Sequence, residues 1–247
     1  MSDAGNVEGW SVAMLDVPEW VGRHVDGTAG GLKADRVRDI LRRAILFRVL
    51  SPGEQLAEQA LANELGCSQS TVREALLRLS DDGLVERRGY RGTFVTETTL
   101  DEAAEMLRVR LSIEQTVARR LAVTGLGATT TRIEAVLRQM DEAHGQGDLD
   151  RCSVLDRQFH AALAEAAGMG LLRPLVSRCA LHIHRFTLMN VTSPEDFYRE
   201  AGLGDEHRAL LAILLGPDPE AAARGIRQHV EVVLERWAPP LHRTMVG

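Results

Sequence analysis

The chain has 247 residues, of which 45% are apolar, 26% charged and 4% aromatic, with a formal charge of −6. Those fractions exclude global disorder, and the longest apolar run, residues 209–215, falls far short of the ~20 residues a membrane-spanning helix needs. The length fits two domains of ordinary size, and the negative sum, taken alone, argues against nucleic acid as a partner.

In chain order, residues 1–29 hold five acids against one base and show no sustained period, so a flexible arm is expected there, with at most one ordered turn between Trp10 and Trp20. No basic stretch followed by an apolar core marks a secretory signal. Cys67, Cys152 and Cys179 have neither paired nor CxxC spacing, which points to the cytoplasm and away from a disulfide framework or cysteine-based zinc site. Residues 30–97 carry eleven bases against ten acids, net +1, so the charge of the whole chain hides a middle segment of different character.

From Leu32, the apolar residues Val37, Ile40, Leu41, Ala44 and Ile45 predict a helix to about Val49, stopped by Ser51-Pro52-Gly53. A short helix carrying Leu56, Ala60, Leu61 and Leu65 ends at Gly66. Ser68 then caps a third helix whose apolar stripe is Val72, Ala75, Leu76 and Leu79, ended by Asp82-Gly83. Leu84-Val85-Glu86 and Thr93-Phe94-Val95 read as two strands joined by the loop 87–92. Three helices and a hairpin with a basic tip make a winged helix-turn-helix over 30–97. From Leu100 onward only helical spacing recurs, in 100–124, 129–145, 149–167, 171–189, 203–215 and 219–240, with glycine or proline breaks between. The fold expected is mainly α, with the winged unit followed by an all-α bundle of six or seven helices over 98–247.

On the third helix, Ser68, Gln69, Ser70, Thr71 and Arg73 occupy the first turns, opposite the apolar stripe. A recognition helix presents its N-terminal residues to the major groove, so these are placed for DNA. Arg73 suits guanine or a phosphate, Gln69 suits adenine, and the hydroxyls suit phosphate oxygens. Arg87, Arg88 and Arg91 with Gly92 form a wing tip able to follow a backbone or enter a minor groove. The stretch 62–76, followed by Leu79, Gly83-Leu84-Val85 and Arg91-Gly92-Thr93-Phe94-Val95, resembles the GntR family of bacterial transcription regulators. Gln69 departs from that family's pattern, which commonly has arginine beside the capping Ser or Thr, so the operator is not transferable from relatives.

In the helical half, Asp156 and His160 stand one turn apart on the apolar face of Phe159, Leu163 and Ala167. His207 lies on the stripe Leu203, Leu210, Leu211, Leu214, and His229 on Ile226, Val230, Val233, Trp237. Three helices thus aim four metal-ligand types inward, whereas His24, His144, His182, His184 and His242 carry no such signal. An ionised aspartate buried without a partner costs several kcal/mol, and a divalent cation would satisfy all four groups. Zn²⁺, Ni²⁺, Mn²⁺ and Fe²⁺ all suit imidazoles with one carboxylate. The same residues resemble the metal-ligand set of the FCD effector domain of the FadR branch of that family, and Arg110-x3-Glu114 resembles that domain's opening helix. The resemblance implies a homodimer on a two-fold symmetric double-stranded DNA operator, as repressor or activator. It also implies a small carboxylate effector at the metal, with Arg110 either its counter-charge or a surface or Glu114-paired arginine.

Two other readings remain open from sequence. One is a metal-dependent enzyme fused to a DNA-binding module. It lacks a general base, since no HExxH is present and Glu206 is expected to point away from His207. The other is a metal-free sensor in which the histidines are plain core residues.

Overall fold

In the computed structural model the described residues are 33–188 and 202–246. The expected arm, its turn between Trp10 and Trp20, and the Ser193-Pro194 break lie outside them. The described chain divides into two compact units, the first ending at Glu97 and the second beginning at Thr98.

The first unit is a winged helix-turn-helix of α1 (Lys33–Leu46), β1 (Gln55–Leu56), α2 (Glu58–Glu64), α3 (Gln69–Asp81), β2 (Val85–Arg87) and β3 (Thr93–Val95). α1 and α2 both pack on α3, whose stripe Val72, Ala75, Leu76 and Leu79 is buried against Leu41, Ile45 and Leu61. α1 ends earlier than its periodicity predicts. The backbone turns back at Arg48 (φ 57°), and the Leu50 amide donates to the Ala44 carbonyl at 3.0 Å, closing the helix as a C-terminal cap.

The sheet has three strands, in order β1-β3-β2, all antiparallel, with Gln55 opposite Phe94 and Val85 opposite Val95. β1 is absent from the sequence reading, because two residues are too few to show a period. It exists because the chain after α1 is tied to β3: the Gly53 amide donates to the Val95 carbonyl and the Val95 amide to the Glu54 carbonyl, each at 2.9 Å. Arg87, expected in the loop, ends β2, and a single 3₁₀ turn, Gly89–Arg91, forms the tip.

The second unit contains seven helices among the described residues: α4 (Leu100–Thr124), α5 (Thr130–Gly145), α6 (Leu149–Ala166), α7 (Arg173–Thr187), α8 (Leu203–Leu214), α9 (Pro219–Trp237) and α10 (Pro239–Val246). Thr99 and Glu102 form a reciprocal capping box that starts α4, and Asp148 and Asp218 cap α6 and α9. α9 stops at Trp237 rather than 240. Pro239 and Pro240 supply no amide to continue the ladder, so the chain kinks at Ala238 and starts α10.

α4 runs against both α7 and α9, α5 packs on α6, and α8 packs on α5 and α9. Two apolar clusters result. One gathers Leu121, Ile133, Met140, Leu155, Phe159, Leu163, Leu214 and Ile226; the other gathers Leu107, Leu111, Ile183, Val230 and Leu234. Along α4, Glu114 falls between residues of the two clusters, with Arg110 one turn before it, and along α9 His229 falls between them too. The bundle's polar centre therefore sits where the two apolar clusters meet. No helix among the described residues is long and apolar enough to cross a membrane.

Candidate metal centre and nucleic-acid face

Asp156 and His160 come from α6, His207 from α8 and His229 from α9, and one ligand atom of each lies within 4.8 Å of the other three. His160 and His207 are almost wholly buried, and Asp156 and His229 half-buried. Phe159 closes one wall, with its ring edge-on to His160 and His207 at 5.5 and 4.9 Å between centroids. The His229 ring stands 4.8 Å from that of His207.

Ring hydrogens fix which nitrogens point inward. A carbonyl only accepts, so His207 Nδ1 donates to the Leu203 carbonyl (2.8 Å), which turns Nε2 inward. That Nε2 lies 3.2 Å from Asp156 Oδ1. His160 places Nδ1 3.0 Å from Glu114 Oε1 and Nε2 3.5 Å from the same Asp156 oxygen, and both nitrogens are buried without a well-aligned hydrogen bond. Two imidazole nitrogens that face one carboxylate oxygen need a proton or a cation among them. A proton on His160 or a divalent cation supplies that positive charge, and the donor set of three imidazoles and one carboxylate fits the cation.

The surroundings favour that charge. Burial alone would raise the Glu114 carboxyl, but Arg110, with Nε 3.0 Å from Glu114 Oε1, and His160 bring it down to about 2. Burial alone would lower the His160 imidazole, yet Glu114 raises it to about 9. Burial also opposes the Asp156 carboxylate, and His160, His184 and His207 hold it well below the usual range. Burial, with the neighbouring histidines, pushes His229 well down, leaving a neutral ring.

The structure thus brings the four expected ligand residues together and adds two that the sequence reading missed. Glu114 holds His160 by the nitrogen turned away from the centre, as carboxylates commonly hold metal-binding imidazoles. His184, passed over because it flanks a core stripe, accepts from Arg157 at Nδ1 (3.0 Å) and turns Nε2 to Asp156 Oδ2 at 3.2 Å. That nitrogen faces the Asp156 carboxylate rather than the centre of the cluster.

A cavity of about 120 Å³ opens beside the cluster, lined by Asp156, His184, Glu206, His207, Arg236 and Trp237 among others. Two expectations need correction here. Glu206 lines the same cavity as His207 instead of pointing away from it. Arg110, expected as an effector's counter-charge, does not line the cavity; it is buried and committed to Glu114. The cation on the cavity wall is Arg236 of α9.

In the first unit, Ser68 caps α3, accepting from the Thr71 amide at 3.2 Å, and its hydroxyl also meets those of Ser70 and Thr71 at 2.8 and 2.7 Å. Gln69 and Arg73 are exposed on the face opposite the stripe, and both donate to Glu58, the first residue of α2. Arg87, Arg88 and Arg91 are exposed on the wing. Arg88 pairs with Glu86 and lies over the Phe94 ring at 4.6 Å. Gly92 adopts φ 100°, and a Cβ there would approach Gln55 Nε2 to 3.1 Å, so the wing turns tightly against β1. Tyr90, at 97% exposure, stands at the tip between the arginines; a lone aromatic in a loop gave no sequence signal.

Comparison with known proteins agrees with this arrangement. Residues 33–95 match the model of the bacterial regulatory proteins of the gntR family, and residues 105–232 match the FCD domain. The chain is 28% identical over 199 residues to the HTH-type transcriptional repressor RspR of Escherichia coli, covering 79% of this chain and 85% of that protein. It is 29% identical over 206 residues to a probable D-xylose utilization operon transcriptional repressor of Paenarthrobacter nicotinovorans, covering 83% and 88%. Among solved structures, E. coli McbR/YncC superposes with a TM-score of 0.61 at 20% identity over 83% of this chain and 98% of that one, a likeness of fold. A GntR regulator from Rhodococcus sp. RHA1 gives 0.57 at 25% identity, over 85% and 97%. With one family model on the winged unit and the other spanning the bundle's core helices, the chain belongs to the GntR family of bacterial transcription regulators, in the branch that carries an FCD domain.

Proposed function

We propose that this regulator binds a two-fold symmetric operator as a homodimer in the cytoplasm, and that a small organic acid at a metal centre in the bundle changes its hold on DNA. Asp156, His160, His207 and His229 would hold the divalent cation, with Glu114 and His184 fixing ring and carboxylate orientation. When bound, the cation supplies a Lewis-acidic positive charge at the cavity wall. The observation that carries this reading is the convergence of the His160 and His207 Nε2 atoms on one Asp156 oxygen, with His229 beside them, inside the bundle.

The cavity, about 120 Å³, has room for a small molecule. Arg236 on the wall and the neighbouring cation favour a carboxylate. Arg110 acts through Glu114 in this reading, not by touching the effector. Recognition of DNA falls to Gln69, Ser70, Thr71 and Arg73 on α3, with Arg87, Arg88, Arg91 and Gly92 on the wing. Ser68 contributes as the cap that sets the helix's first turn.

The test is operator binding by the zinc-loaded and the chelated protein across a panel of small carboxylic acids. An acid that shifts the affinity of the loaded protein, does nothing to the chelated one and is recovered unchanged is the expected result. Turnover of that acid would replace the sensor reading with the enzymatic one.

A further inference from the structure

Glu58 makes contacts that neither helix packing nor the sheet explains. Its carboxylate accepts from Gln69 Nε2 at 3.1 Å and from Arg73 at both Nε (3.1 Å) and Nη2 (2.8 Å). It is the most shielded of the three, with 19% of its side chain exposed against 54% for Arg73. The Arg73 guanidinium beside it holds the Glu58 carboxyl below its usual range, so it stays an acceptor.

We infer that Glu58 is a positioning residue that sets what the recognition helix offers to DNA: a donor pair from Arg73 and an acceptor from Gln69. The inference rests on the DNA-binding reading above. An ionised carboxylate accepts only, so the Gln69 amide must turn its NH₂ toward Glu58 and its Oε1 away. Among the described residues that Oε1 accepts no hydrogen bond. Arg73 spends its Nε edge on the same carboxylate, which leaves the Nη1–Nη2 end free and held in one plane. That end matches guanine O6 and N7, while Gln69 Oε1 matches an exocyclic amino group, N6 of adenine or N4 of cytosine. At Gln69 this chain therefore presents an acceptor beside the donors of Arg73.

The experiment starts from a randomised double-stranded DNA pool, from which the full-length protein selects its preferred duplex. Each position of that duplex is then replaced by an analogue lacking one group: purine for adenine or an amino-deleted pyrimidine for cytosine, and 7-deazaguanine for guanine. The wild type should lose about tenfold at one amino deletion, a loss absent in Gln69→Ala, and about tenfold at one guanine N7 deletion, absent in Arg73→Ala. Glu58→Gln should blunt both losses while its affinity for unrelated duplex stays level or rises, since a negative charge has left the DNA face; Glu58→Asp should keep them in part. A merely unstable variant would lose both kinds of affinity together. A Gln69-dependent position that responds to acceptor deletion and not to amino deletion overturns the inference in the wild type alone, whatever Glu58→Gln does to folding. So does a Glu58→Gln protein with both losses intact. Selection of no sequence by the wild type overturns the DNA-binding reading, and this inference with it.

Discussion

The two functional faces of this molecule use the same residue types under opposite conditions. In the bundle, Arg110, Glu114, Asp156 and three histidines meet out of water, where an unbalanced charge is costly and each hydrogen has one place to go. On the DNA face, Arg73 with Glu58 and Arg88 with Glu86 meet in water, where such pairs contribute little to stability and are easily exchanged for phosphates or bases. The buried set balances its carboxylates with Arg110 and a His160 proton that a cation could replace. The exposed set holds its positive charges in place until DNA competes for them.

Removing a partner should therefore break the two regions very differently. Glu114→Ala leaves Arg110 and His160 buried without their carboxylate and should destabilise the bundle by about 3–5 kcal/mol in denaturant unfolding. A loss below about 1 kcal/mol would mean that water reaches the cluster and that the contrast with the surface is false.

Cation binding should come next. At a hundred times its Kd, zinc or nickel should stabilise the wild type by about 2.7 kcal/mol and leave His160→Ala unmoved. The pH dependence has a definite sign. In the cation-free protein His160 is raised from its ordinary 6.5 to about 9, so its contribution is complete below pH 6.5 and is lost as pH rises through 9. The cation takes the place of that proton. Melting of the chelated protein should fall between pH 7 and 9 while the loaded protein holds level, and loading at pH 7 should release a proton, measurable by calorimetry in two buffers.

On the DNA face the effects should be smaller and appear in binding rather than folding. Arg73→Ala should weaken operator binding roughly ten- to a hundred-fold by a base-reading loss. Arg88→Ala should weaken all duplexes about equally and lower the salt slope by about one. If Arg73→Ala weakened every duplex alike, α3 would be holding backbone and not reading bases. Smallest of all, Glu86→Ala should move stability by less than about 1 kcal/mol, although it removes a visible ion pair.

How far these regions can be read without coordinates follows the same division. α3 was legible because its cap, stripe and stop are all local: Ser68, then Val72 to Leu79, then Asp82-Gly83. The four ligands were legible because burial wrote itself into periodicity, with each histidine on an apolar stripe of its own helix. Glu114 and His184 were not, since what matters is the neighbour each meets across the bundle, and their own helices give no sign of it. Arg110 allowed two readings, an effector's counter-charge or a partner of Glu114 at i, i+4, and burial decides for the pair. Glu58 escaped for a similar reason, as its partners lie eleven and fifteen residues further along, beyond the turn. β1 is two residues long and owes its existence to β3.

The most direct test of a metal-centred regulator is metal analysis of wild-type protein purified without chelators, set beside the effector response of His160→Ala and His229→Ala. One divalent ion per chain in the wild type, lost together with the effector response in both variants, is the predicted result. A metal-free wild type whose effector response survives both substitutions would contradict it, and would make the three histidines no more than core residues.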